Sequence, residues 1–449
     1  MMDGQQFQII AQQVIEKAQQ RGASMSEAFL ASSKELLIEV SNQVVETLKM
    51  AEERGLGVRI FKDGRMGFAY TADLNPAQID QIIDEALANS RQSTVDDGNV
   101  LPKPAPKYPA LDLYDPQINS VPVEHKIELT RQIERIGRQY DPRVKITEKA
   151  GYEDSEYYVT IVNSYGLNVS YRGAYCGAYL MVVAEENGDN QTGFGMQYRR
   201  KFRDLNATQI GQEAAEKAVR MLGAKKINTQ KVPVVFDPYV ATNFLGILAP
   251  ALSAEAVQKG KSLFAGKVNQ LVGSDKITLI DDGMLPDGIA SSPFDGEGVP
   301  TARTVLIERG QLKGFLHNTY TAAKDGVVST GNGMRSSYKG TPEIGTTNFY
   351  ILPGELSVEE LLKDIASGLY VTEVMGMHTA NPISGDFSVG AAGLWIENGQ
   401  LAYPVRGVAI AGNILDLLAS IDAVASDLTF FGGRGAPTCR VAKMTVSGS

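Results

Sequence analysis

Apolar residues recur along the first twenty positions at the helical period. Phe7, Ile10, Val14 and Ala18 share one face, and Gly22 closes the run. The pattern then shortens to β-like stretches. The segment 58–70, VRIFKDGRMGFAY, reads as two strands around Asp63-Gly64, a hairpin signal. A second helix begins where Asn75 supplies a cap and Pro76 suits the first turn. Its apolar stripe is Ile79, Ile82, Ile83, Ala86 and Leu87. Between 92 and 122 periodicity is lost and prolines stand at 102, 104, 106, 109, 116 and 122, which predicts an extended connection rather than a packed element.

A third helix is predicted over about 123–139, with Leu129, Ile133 and Ile136 on one side. Strands follow from about 144 to 201, turning at Ser164-Tyr165-Gly166 and around Asn187-Gly188. A helix capped by Asn206 and stopped by Gly223 ends this part. From about 230 the texture changes. KVPVVFDP reads as a buried strand, 238–258 as helix interrupted by Pro250, and the remainder as glycine-rich hairpins. Hairpins are predicted at 305–316 and 392–405, the second turning at Asn398-Gly399. A helix is expected at 357–367 and a last strand at CRVAKMTVS. No βαβ alternation persists, so the fold class is α+β: an N-terminal α+β region with antiparallel sheet and helices, then a larger β-rich domain. The expected units are 1–91, a Pro-rich connection 92–122, a second α+β subdomain 123–225, and a β-rich C-terminal domain 226–449.

Composition narrows the functional classes. The 449 residues are 43% hydrophobic and 21% charged, an ordinary globular profile. The opening MMDGQQFQII lacks a basic start and an apolar run, so no secretory signal is expected. The longest apolar stretch, FLGILAPALSA, is too short to span a bilayer. Cys176 and Cys439 form no CxxC pair, which suits a reducing, cytoplasmic compartment. A net charge of −9 argues against a nucleic-acid partner, and the basic cluster RRKFR (199–203) reads as a solvated strand end.

Candidate chemistry is sparse. His125, His317 and His378 are scattered and there is no HExxH, so a zinc site is not predicted. Asp281-Asp282 reads as a turn before Gly283. Asp295 and Glu297 are paired carboxylates without further support, since retaining glycosidase chemistry needs carboxyls about 5 Å apart. The Gly- and Ser-rich 329–340 lacks phosphate-loop spacing and reads as a mobile loop. Both cysteines read as buried packing residues. The stretch MGMHTANPISGDFSVG (375–390) gathers His378, Asn381, Ser384 and Asp386. A Ser/His/Asp arrangement, a polar binding loop and a self-bonded loop all remain open there.

Several long motifs occur in order: FDGEGVPTARTVLIERGQLKGFLHNTYTAAK (294–324), SSYKGTPEIGTTNFYILPG (336–354), HTANPISGDFSVGAAGLWIENGQLAYPV (378–405) and GNILDLL (412–418). Together they resemble the TldD/PmbA family, also called gyrase modulators, over nearly the whole chain. The resemblance implies an N-terminal α+β region and a larger β-rich C-terminal domain. It also implies two branches. TldD-like members are zinc metallopeptidases with an H-E-x-x-x-H motif and a C-terminal cysteine ligand. PmbA-like (TldE) members pair with them to degrade or process extended or unfolded peptides. In this chain the two histidine positions of that motif fall on Leu245 and Pro250, and its glutamate on Gly246. The cysteine position falls near FFGGRG (430–435). None of these can serve as ligand or base.

The PmbA-like form of the 378–388 loop marks His378, Thr379, Asn381, Ser384, Asp386 and Ser388 as substrate-binding candidates. No catalytic or metal residue is expected, nor a cofactor in this chain, zinc belonging to a TldD-like partner. The expected partners are that subunit, a peptide substrate whose strand adds to a sheet edge, and a second copy of the chain when the partner is absent. The competing readings are a stand-alone, metal-independent hydrolase built on 378–386, and a non-enzymatic scaffold acting on a protein such as gyrase.

Overall fold

The computed structural model describes residues 4–448, so the first three residues of MMDGQQFQII and Ser449 lie outside the described residues. The chain folds as α+β. Its N-terminal half is built on one antiparallel sheet of six strands. In spatial order these are Arg65–Thr71, Val44–Lys62, Met25–Ser41, Val144–Asn163, Asn168–Glu186 and Asp189–Arg199. The central pairing runs from Glu27↔Asn163 to Val40↔Ala150. Residues on either side of the Pro-rich connection therefore share one sheet. The turns follow the backbone preferences of their residues: Asp63 and Gly64 have φ of 51° and 73°, as a two-residue hairpin with the strand twist requires.

Four helices cover the sheet. Gly4–Gln20 and Pro76–Gln92 bring Phe7, Val14, Ile82 and Ile83 against Leu30, Leu56 and Val58. Val123–Tyr140 and Ala207–Val219 bring Ile133, Ile210 and Ala214 against Tyr152, Leu180 and Val182. The last helix sits directly on the outer strand because position 193 is glycine: a Cβ there would lie 2.2 Å from the Ala214 carbonyl oxygen. The caps operate as their residue types suggest. Asn75 and Asn206 side chains accept from the Gln78 and Gln209 amides at 2.9 and 3.0 Å. The connection 92–122 carries only the short helix Gln117–Ser120 among regular elements, yet Leu101, Leu113 and Ile118 are buried.

The C-terminal region is β-rich. One sheet has the order Gln400–Asn413, Asp386–Glu397, Ser367–Met375, Gln230–Phe236, Cys439–Ser447, Ile421–Val424. Gln400–Asn413 also pairs with Cys439–Ser447, which closes five of these strands into a barrel. A second sheet has the order Gln311–Leu312, Arg303–Glu308, Leu279–Asp282, Asn348–Ile351, Arg434–Ala436, Thr429–Phe431. Helix Pro238–Ala251 packs Phe244, Leu245 and Leu248 into the core shared with Leu306, Phe349, Phe387 and Val441. The sheets are not wholly antiparallel. Gln230–Phe236 runs parallel to Ser367–Met375, and Asn348–Ile351 parallel to Arg434–Ala436. The long connections between these partners carry helices, which lets the chain return in the same direction.

The junction between the halves overturns three sequence expectations. Arg200 is not solvated: it is 2% exposed and its guanidinium donates to the carbonyls of Gly288, Ile289 and Ser291 across the junction. The segment 329–340 is not a free loop. Gly333–Met334 pairs with Glu343–Ile344, and the buried Arg335 guanidinium pairs with Glu27 of the N-terminal sheet. Asp281 is a buried strand residue rather than a turn residue. It accepts from Thr347 and Asn332, and burial pushes its carboxyl up to about 6. Glu27 completes the junction by accepting from Arg59 Nε at 2.9 Å and Nη2 at 2.6 Å. Arg59 also reaches Glu297 at 3.3 Å. Asp295 lies in the same buried cluster, held well above the usual carboxylate range by burial and then by the Glu297 carboxylate.

Candidate functional site

Strand Ser367–Met375 leaves the barrel and turns through Gly376, whose φ is 85°. A single 3-10 turn, Met377–Thr379, leads to Pro382, and the chain re-enters the barrel as Asp386–Glu397. His378, Thr379, Asn381, Ser384, Asp386 and Ser388 are all exposed. Most of their polar atoms build the loop itself. Asn381 Oδ1 accepts from the amides of Ile383 and Ser384 at 2.9 and 3.3 Å. Thr379 donates to the Gly376 carbonyl at 2.8 Å. Asp386 accepts from Ser384 Oγ at 2.8 Å and from Asn413 Nδ2 at 2.9 Å, and these bonds, Asn413 first, hold its carboxyl below the usual range. Ser388 lies on the strand, in register with Ala411.

His378 makes no hydrogen bond, ion pair or ring contact among the described residues. Ser384 and Asp386 therefore meet, but the imidazole joins neither. A nucleophilic serine needs its base within hydrogen-bond reach and the base oriented by a third group, and this loop has neither contact. The other histidines are no nearer to such a role. His125 is exposed at the start of helix Val123–Tyr140, and His317 is buried with Nδ1 unpartnered. Both cysteines are buried, with thiols pushed up to about 12 chiefly by burial, so neither is a reactive thiolate.

The loop tip has a second role that sequence reasoning missed. Pro382 and Ile383 form one wall of a groove of about 470 Å3. The opposite wall is the end of helix Pro238–Ala251, through Gly246, Ala249 and Pro250. These positions are three and four residues apart and so share one helix face. Arg434 reaches the groove from the strand that follows the Gly432-Gly433 turn. Its guanidinium lies against the helix at Gly246: a Cβ there would be 3.0 Å from Arg434 Nη1. The groove thus brings together three regions that the motifs had marked separately, namely the helix 238–251, the FFGGRG segment and the 378–388 loop.

Comparison with known proteins gives the family. Models of the PmbA/TldA metallopeptidase domain 1, central domain and C-terminal domain match residues 26–90, 116–222 and 229–448. The chain belongs to the PmbA/TldD metallopeptidase family. It is similar to the metalloprotease PmbA of Escherichia coli O157:H7, at 33% identity over 89% of this chain and 88% of that protein. Among solved structures, a Thermotoga maritima protein given as a candidate modulator of a DNA gyrase has a TM-score of 0.91 and 31% identity, covering 98% of this chain and all of that one. TldE from Thermococcus kodakarensis has a TM-score of 0.91 and 26% identity, again over 98% and 100%.

The residues at the PmbA/TldD metal-motif positions do not suit zinc. Leu245 is 1% exposed and belongs to the core, while Gly246 and Pro250 face the groove. Leucine, glycine and proline side chains have no lone pair to offer a metal. Arg434 places a positive charge beside Gly246, which disfavours a cation there. Among the described residues no three His, Cys, Asp or Glu side chains converge on one point. No described helix is long and apolar enough to cross a membrane.

Proposed function

We propose that this chain is a non-catalytic, PmbA/TldE-like subunit that pairs with a TldD-like zinc metallopeptidase in the cytoplasm and guides extended peptides into its site. The observation that carries this reading is the groove wall. At the positions where the resemblance puts zinc ligands and a general base stand Leu245, Gly246 and Pro250, and an arginine lies against the glycine. The groove frame is retained while its metal chemistry is replaced. The loop residues His378, Thr379, Asn381, Ser384, Asp386 and Ser388 lie in the loop and strand that carry the groove-lining Pro382 and Ile383, and on this reading act on substrate position, not bond breaking. An obligate interface with a TldD-like subunit buries more than about 2,000 Å2, and the same surface serves a homodimer when that partner is absent.

The test uses the chain alone, a TldD-like protein alone, and their mixture. After dialysis against zinc-free buffer, the chain should hold well under one zinc and leave an unstructured peptide uncut. The mixture should elute as one complex and cleave the peptide. Stoichiometric zinc surviving dialysis, cleavage by the chain alone, or separate elution of the two proteins would each overturn the proposal.

A further inference from the structure

The groove has an unusual charge balance for a chain with a net charge of −9. Three cations line it, Arg434, Lys259 and Lys261, against a single carboxylate, Glu255. That carboxylate is committed to Lys259 at 2.5 Å. Arg434 and Lys261 side chains have no hydrogen-bond or ion-pair partner among the described residues. By contrast, Arg59, Arg143, Arg172, Arg335, Arg406 and Arg440 each meet a carboxylate. Arg434 is exposed, so its N–H groups are open to a ligand entering the groove. Its guanidinium touches the helix at the one residue, Gly246, that has no side chain to displace it. Beside it the groove is apolar, with Ala249, Pro250, Leu316, Ile344 and Ile383.

We infer that this groove binds the C-terminal carboxylate of an extended peptide, with Arg434 as its anchor and the apolar walls taking the last side chain. A planar guanidinium with free N–H groups matches a carboxylate bidentately. An α-carboxylate brings its charge on the backbone, so the last side chain remains free to cover Pro250, Ile344 and Ile383. An acidic side chain would place its own stem there and leave those walls bare. Lys261 at the rim adds a second, weaker attraction. The inference rests on the peptide-guiding role proposed above and deepens it, naming the end of the peptide that this subunit holds.

The experiment is fluorescence anisotropy on the full isolated chain, with an N-terminally labelled peptide of Ser, Val and Leu ending in a free leucine carboxylate. It is compared with the C-terminal amide and with the same amide carrying an internal glutamate. The acid should bind about 10- to 100-fold tighter than the amide, and the preference should shrink as salt is raised. Arg434→Gln should abolish the preference while leaving the amide unchanged. Gly246→Leu, which displaces the guanidinium, should reduce it. Equal binding of acid and amide, no measurable binding of the acid, a preference that survives Arg434→Gln, or an internal-glutamate amide as tight as the acid would each overturn the inference. The wild-type acid and amide decide the matter even if a variant misfolds. Because the partner is absent, failure here is distinct from failure of the pairing reading, which the turnover and co-elution assay decides.

Discussion

Asp237 offers a pH-dependent test of how the groove helix is held. It is the N-cap of Pro238–Ala251, its Oδ1 accepting from the Val240 amide at 2.8 Å, and it is 7% exposed. Burial pushes its carboxyl from 3.8 up to about 6, against the opposing pull of the Val240 amide, Lys217 and Arg220. Between those two values the folded chain keeps a proton that the unfolded chain has released. Stability therefore falls as pH rises through this window, by up to about 1.4 kcal/mol per pH unit, or about 3 kcal/mol in all. Above the folded value the loss is complete and constant. Asp237→Asn keeps the capping oxygen but cannot titrate. Its stability relative to wild type should rise by about 2.5 kcal/mol from pH 4 to pH 7, most of it before pH 6. The assay is urea unfolding at several pH values, followed by the fluorescence of the single tryptophan, Trp395, which is 5% exposed in the same core. A difference constant to about 0.5 kcal/mol across this range would refute the reasoning. A difference of the opposite sign would mean that Lys217 and Arg220 outweigh burial.

Two further outcomes follow from the junction and the loop. Glu27→Ala leaves the Arg59 and Arg335 guanidinia without their shared carboxylate in a buried site, and should cost about 3–5 kcal/mol of unfolding free energy. Glu255→Ala, at an exposed pair, should cost under about 1 kcal/mol; equal urea midpoints for the two would contradict this account of the junction. In a reconstituted pair, His378→Ala should weaken peptide turnover by about 2- to 150-fold, mostly in KM. A kcat loss beyond about a thousandfold, with KM and assembly unchanged, would show instead that the imidazole does chemistry.

Local features were legible in the sequence wherever a short-range rule governs them. The Asn75-Pro76 start, the apolar stripe from Ile79 to Leu87 and the Asp63-Gly64 turn appear where their residues predict. Lengths were less legible. Met25–Ser41 and Val44–Lys62 are far longer than the short strands expected. The outer part of the second strand runs through exposed Val44, Leu48 and Met50 among charged residues, so no buried face marks it. The helix at 357–367 contracts to Val358–Leu362, though its Ser357–Glu360 capping box was readable. Long-range polar partners were not legible at all. Arg335 and Glu27 are 308 residues apart and Arg59 and Glu297 are 238 apart. A charged residue in sequence looks solvated until the partner that permits its burial is placed beside it.

The candidate site was legible only in part, for the same reason. The 378–388 loop drew attention because it concentrates polar residues, yet those residues mostly satisfy one another, and the part of it that lines the groove is the apolar pair Pro382 and Ile383. Arg434 carries no signal in the FFGGRG segment as long as that segment is compared only with a cysteine ligand. The available signal was an arginine placed directly after a Gly-Gly turn, where a two-residue hairpin sets its register opposite Phe431. The groove then explains how one frame can serve a changed role. Its walls come from a helix packed into the core, a strand and a loop, none of which depends on a metal donor for its packing. On the proposed reading, what changes is the charge it presents: a metal site offers a cation to a carbonyl that is to be broken, whereas a guanidinium offers one to a carboxylate that is only to be held.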